Sequence, residues 1–236
     1  MVPVMRVYGA LLQLPGVEVV ELTVGEWAQK VWADMGFMKW PLGLCLIVGI
    51  IVMIWKFFDL LGKSAKTKVI LREVDELLVQ RRFKEALAIT RDSKAPAANI
   101  LYAGLERYDE GTDRVMKAIE NQGLIELSRL ESGLVILATL TNIAPLLGFL
   151  GTVLGMIVAF QSIEAAGEVD AQLVAGGIQI ALLTTAAGLT IAIPVSIAHN
   201  YFVSRIDSLV IDMEESAQKM VDALHAMESG GTATAS

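Results

Sequence analysis

The sequence predicts an all-α membrane protein with three transmembrane helices, long cytoplasmic helical extensions, its N-terminus outside and its C-terminus in the cytoplasm. Three observations predict it. Hydrophobic residues make up 54% of the 236-residue chain against 19% charged, with mean hydropathy +0.57, well to the apolar side of soluble domains. Residues 132–163 and 171–198 contain no Asp, Glu, Lys or Arg, and each stretch exceeds the roughly 20 residues a helix needs to cross ~30 Å of hydrocarbon. Lysine and arginine gather at one set of span ends, and that asymmetry sets the orientation.

Residues 1–39 form the segment on the outer side. The apolar run Val7–Leu14 is short and ends in Pro15-Gly16 rather than a small-residue cleavage site, so no cleavable signal peptide is expected. Val20, Val24, Trp27, Val31 and Met35 recur at helical spacing while Glu18, Glu21 and Glu26 fall elsewhere, which predicts an amphipathic helix lying on the outer membrane surface. A helix docking a soluble partner is the alternative. The first span, 40–61, opens at Trp40-Pro41 and carries Trp55 at its far end, with Lys39 and Lys56 placed to snorkel.

After that span come Lys56, Lys63, Lys66, Lys68 and Arg72; before it stand only Arg6, Lys30 and Lys39. Residues 62–131 are therefore cytoplasmic. Ile70, Val74, Leu77 and Leu78, then Phe83, Ala86 and Leu87, predict a helical hairpin that breaks near Asp92-Ser93 and Pro96. A further helix from about Ala97 is interrupted around Asp109–Thr112. From Thr112 the pattern restarts, and with no proline before Pro145 it can continue unbroken into the second span, 132–163. The loop 164–170 holds Glu164, Glu168 and Asp170 and no basic residue, as an outer loop should. The third span, 171–203, is followed by Arg205, a C-terminal cytoplasmic helix and a low-complexity tail within 204–236.

Composition also excludes classes. One cysteine, Cys45, rules out an internal disulfide and a multi-cysteine zinc site, and two histidines rule out a His-rich centre. Net charge −7 argues against nucleic-acid binding. No nucleophile, base and orienting group can be picked out, so no enzyme and no cofactor are expected.

The spans carry small residues along one face: Gly148, Thr152, Gly155 and Ala159 on the second, Gly177, Ala181, Thr184, Gly188, Ala192 and Ser196 on the third, with Thr185 at its edge. Such faces let helices approach closely in lipid, which accounts for Gly148, Gly155 and Gly188 by packing alone. A membrane threonine most often bonds a carbonyl of its own preceding turn; Thr152, Thr184 and Thr185 at comparable depths nevertheless suggest a shared polar position. Neither long span has Asp, Glu, Lys or Arg, nor a histidine before His199, so a proton path through this chain would need a carboxylate from a partner.

The run from Ile143 to Met156, IAPLLGFLGTVLGM, followed by Ala159-Phe160, and the run from Gly177 to Leu189, GIQIALLTTAAGL, followed by Ala192-Ile-Pro194, resemble the MotA/TolQ/ExbB proton-channel family, in its ExbB/TolQ branch. The resemblance covers about residues 40–215. It implies a homo-oligomeric ring, a pentamer, around two copies of a single-pass ExbD/TolR-like protein in the bacterial inner membrane. That partner's aspartate would face Thr152 and Thr185, with Thr184 beside them, and Gly148, Gly151, Gly155, Gly188, Pro145 and Pro194 would pack the path. Proton passage would power a TonB-like or Tol-like protein crossing the periplasm; the four-span flagellar branch is less similar. Many relatives carry a glutamate where this chain has Ile180, so its cytoplasmic proton route is open. The neighbouring Gln179 reads as a hydrogen bond between subunits. A sodium-driven motor and a passive scaffold are the other readings.

Remaining polar candidates rank lower. Glu164, Glu168 and Asp170 read as solvated loop charges, Glu120, Glu126 and Glu131 as solvated positions off any common face, Pro194 as a bend, and Cys45 as packing.

Overall fold

The computed structural model describes residues 29, 32–80, 82–167 and 171–232, and among them there is no strand. The expected surface helix over 18–35 falls mostly outside these residues, as do Glu168, Asp170 and the end of the tail.

A 3-10 turn at Gly36–Met38 leads into α1, Lys39–Val79. Pro41 lies in the first turn of α1, where a missing N–H costs nothing. Then follow α2 (Phe83–Asp92), α3 (Pro96–Leu105), a 3-10 turn at Tyr108–Glu110, α4 (Thr112–Glu131), α5 (Leu134–Ala166) and α6 (Ala171–Thr232). Three of these helices, α1, α5 and α6, are long and apolar enough to cross a membrane. At 1.5 Å per residue the 41 residues of α1 and 62 of α6 reach about 60 Å and 90 Å, so both continue far beyond a ~30 Å hydrocarbon layer. The third span and the C-terminal helix are one helix, uninterrupted at Pro194.

The chain divides into two compact units, Met1–Val48 with Leu140–Pro194, and Gly49–Thr139 with Val195–Ser236. In the second, α3 packs on α2 and α4, and the core takes Val74 and Leu78 from α1, Ala97 and Leu101 from α3, and Ile206, Met213, Met220 and Leu224 from α6. Gly104 of α3 lets that helix meet Met220 of α6 and Ile119 of α4, since a Cβ there would strike the Met220 methyl. Across the same unit Lys219 reaches Asp75 at 3.4 Å.

Two expectations are corrected here. The helix from Thr112 does not run into the second span: it stops at Glu131, Ser132 is extended (ψ 129), and Gly133 has φ +86, a conformation glycine adopts without strain. Lys56 does not snorkel. It is fully buried, and its ammonium donates to the carbonyls of Leu130 at 2.5 Å and Ser132 at 2.7 Å. The last carbonyls of α4 have no partner within the helix and form the negative end of its dipole, so the cation caps them.

Candidate ion-pathway site

The first unit contains the facing stretches of α5 and α6, and glycine sets how near they come. A Cβ on Gly148 would stand 3.0 Å from the Thr184 carbonyl oxygen and the Thr185 Cα; one on Gly155 would stand 2.8 Å from the Gly177 oxygen; one on Gly188 would stand 2.5 Å from the Ala144 oxygen. A Cβ on Gly151 would overlap the Thr184 side chain. The contacts pair Ala144 with Gly188, Gly148 with Thr184-Thr185, and Gly155 with Gly177 and Ala181, an antiparallel seam. Backbone in contact with backbone replaces the hydrophobic drive that lipid cannot provide.

The three threonines part ways in this seam. Thr184 is fully buried and donates within its own helix, to the carbonyls of Ile180 and Ala181, each at 2.9 Å. Thr152, half-buried, donates to the Phe149 carbonyl at 2.6 Å, again within its helix. Thr185 instead donates across the seam to the Gly148 carbonyl at 3.1 Å. The seam thus gathers Thr184, Thr185, Gly148 and Gly151, and Thr152 follows Gly151 by one position. Pro145 is half-buried inside α5 and Pro194 exposed inside α6; neither shares a hydrogen bond with the threonines.

Other polar groups lie elsewhere. Gln179 is exposed and donates to Asp34 of the same chain at 2.9 Å. Ile180 supplies one of the two Thr184 acceptors through its backbone. Glu164, Glu120 and Glu131 are exposed. Glu126, expected to be solvated, is buried at 3% exposure, and one carboxylate oxygen accepts from Asn99 at 3.0 Å, Gln122 at 3.2 Å and Arg129 at 2.7 Å. A buried carboxylate needs such donors; that Asn99 of α3 is one of them could not be read from α4 alone. Cys45 is buried and unpaired. Among the described residues no cluster of His, Cys, Asp or Glu could hold a metal ion.

Residues 92–215, more than half of the chain, match the family model for the MotA/TolQ/ExbB proton channel family. The chain belongs to that family. The matched region takes in the whole α5–α6 seam. The chain is 30% identical over 175 residues to the biopolymer transport protein exbB1 of Vibrio cholerae, covering 70% of this chain and 75% of that one. It is 34% identical over 114 residues to the biopolymer transport protein ExbB of Aquifex aeolicus, covering 48% and 76%. The Tol-Pal system protein TolQ of Haemophilus influenzae is 34% identical over 121 residues, covering 51% and 52%. This ExbB/TolQ-family chain is accordingly a multi-pass membrane protein, with its glycine-threonine seam inside the part shared with the family model.

Proposed function

We propose that this chain is the ring-forming subunit of a motor in the bacterial inner membrane, driven by the proton motive force, with a single-pass ExbD/TolR-like partner supplying the titrating aspartate. The observation that carries this is the α5–α6 seam: backbones in contact, a hydroxyl bridging them, and between 132 and 163 or 171 and 198 no side chain of Asp, Glu, Lys or Arg. A proton needs an intramembrane group that titrates, and a partner aspartate beside Thr185 and Thr152 meets that need. The ring is a homopentamer around two partner helices. Its N-terminus lies outside and residues 62–131 and the C-terminus in the cytoplasm, following the lysine and arginine distribution. The chain catalyses no covalent chemistry. The motor energises an envelope process such as TonB-dependent outer-membrane transport, through a TonB-like or Tol-like protein. One charge moved through 100 mV yields about 2.3 kcal/mol, so useful work takes several protons per cycle.

A passive scaffold is the second reading, favoured by Thr152 and Thr184, whose hydroxyls bond within their own helices. Native mass spectrometry of the protein extracted gently from its host membranes separates the two. The motor predicts a ring with a few copies of a small single-span protein bearing a membrane aspartate. A ring or monomer without that companion, reproduced across mild detergents, favours the scaffold.

A further inference from the structure

In the second unit α1 and α6 leave a crevice where each helix ends its apolar stretch. Leu60, Phe202 and Leu209 are buried beneath it. Its lining changes character in the same direction along both helices. On α1 it runs Phe57, Leu61, Ser64, Lys68; on α6 it runs Tyr201, Arg205, Ser208, Asp212. Each step is about one helical turn, ~5 Å, so the lining passes from aromatic to charged over about three turns on α1 and meets its first charge, Arg205, about one turn after Tyr201 on α6.

Two cations line it, and among the described residues neither has a carboxylate within ion-pair distance. Lys68 and Arg205 are exposed, and neither takes part in the ion pairs that hold Lys63 to Asp59 and Arg72 to Glu76. The Arg205 guanidinium lies over the Tyr201 ring at 5.8 Å, which holds it at the apolar edge. Asp212 opposes them with one negative charge, leaving the crevice positive by one. The cavity is about 60 Å³, room for about four water-sized positions at ~15 Å³ each. That suits a phosphate group, and the exposed Phe57, Leu61 and Tyr201 offer an acyl chain an apolar path outward.

We propose that this crevice holds the phosphate of an anionic phospholipid. Basic pockets between helices at a membrane border attract such headgroups; here the border is set by the end of the apolar run on both helices. Which leaflet supplies the lipid rests on the orientation proposed above; the binding does not.

The test is native mass spectrometry of the full-length protein in detergent, offered equimolar dioleoyl-phosphatidylglycerol and dioleoyl-phosphatidylcholine. Wild type should retain the anionic lipid about fivefold over the zwitterionic one, at about 1 kcal/mol for the one net charge. K68Q/R205Q, which leaves Asp212 unopposed, should bring the ratio to one or below, K84Q/R107Q, exposed cations elsewhere, should leave it unchanged, and D212N, which removes the opposing charge, should raise it. Equal retention by wild type, a preference that survives K68Q/R205Q, or a fall in D212N overturns the proposal. Displacement of the lipid by millimolar inorganic phosphate also overturns it, in favour of a free-phosphate site. The readout needs no ion flux and no partner, so failure of the motor reading leaves it standing.

Discussion

Thr185 donates to the Gly148 carbonyl of the facing helix, whereas Thr152 and Thr184 donate within their own turns. In Thr185→Val the shape is kept and that bridge is lost, at a cost of about 0.6–2 kcal/mol in a membrane interior. The expected outcome is an assembled ring with impaired proton-driven function, restored by Thr185→Ser; intact function in both T152V and T185V, measured as energy-dependent uptake or envelope integrity, would reduce the threonines to packing. Lys56 belongs to the same scale. Lys56→Met leaves the Leu130 and Ser132 carbonyls buried or half-buried without their cation, so stability should fall by about 2–4 kcal/mol, read as a lowered melting temperature in detergent. Of these residues the threonine pattern was legible in sequence, since spacing places it on a face. The role of Lys56 was not, because its acceptors lie more than seventy positions away along the chain and no local pattern points to them.

Among the elements, the junction of α4 and α5 differs most from its sequence reading. Periodicity and the lack of proline favoured one continuous helix. Ser132-Gly133 breaks it, with Gly133 at φ +86 and the Trp55 ring 3.0 Å from where a Cβ would stand. Gly133→Ala combines left-handed strain of ~1–2 kcal/mol with crowding of Trp55. It should destabilise the junction, seen as faster amide exchange in the last turn of α4. Gly155 presents the seam version of the same argument. Gly155→Ala sets a methyl 2.8 Å from the Gly177 oxygen, and the helices must part or shift; overpacking of this kind costs about 1–3 kcal/mol. Weaker ring assembly on native gels is the expected result. The boundary between α2 and α3 was readable because Asp92-Ser93 and Pro96 punctuate it strongly, whereas the stretch from Ile70 to Leu78, expected as the first arm of a hairpin, is the continuation of α1.

For the whole molecule, orientation is the property with the widest consequences. Single cysteines introduced in a Cys45→Ser background at exposed Lys66 and exposed Arg107 should react with a membrane-impermeant maleimide only after the cells are opened, and one at exposed Glu164 before. The reverse pattern would invert the proposed topology. Beyond the charge-free stretch of α6, Lys219 is tied to Glu215 at 2.9 Å and to Asp75 at 3.4 Å. The hydrogen bond to Glu215 leads in raising its pKa above the ordinary 10.5, with the charge of Asp75 next. A raised lysine pKa adds stability that is complete below the unfolded value and lost as pH climbs through the folded one, so this tie holds throughout the neutral range.

By itself the sequence determined the helical class, the three spans, the small-residue faces and the family, because each is written in local periodicity, run length and motif, all of which survive without knowledge of neighbours. Only the tertiary structure decided which threonine bridges the seam, why Glu126 tolerates burial, what Lys56 holds and where the helix breaks. Those outcomes depend on donors and acceptors brought together from distant positions, and in a low-dielectric interior a single missing partner outweighs the local propensities that a sequence displays.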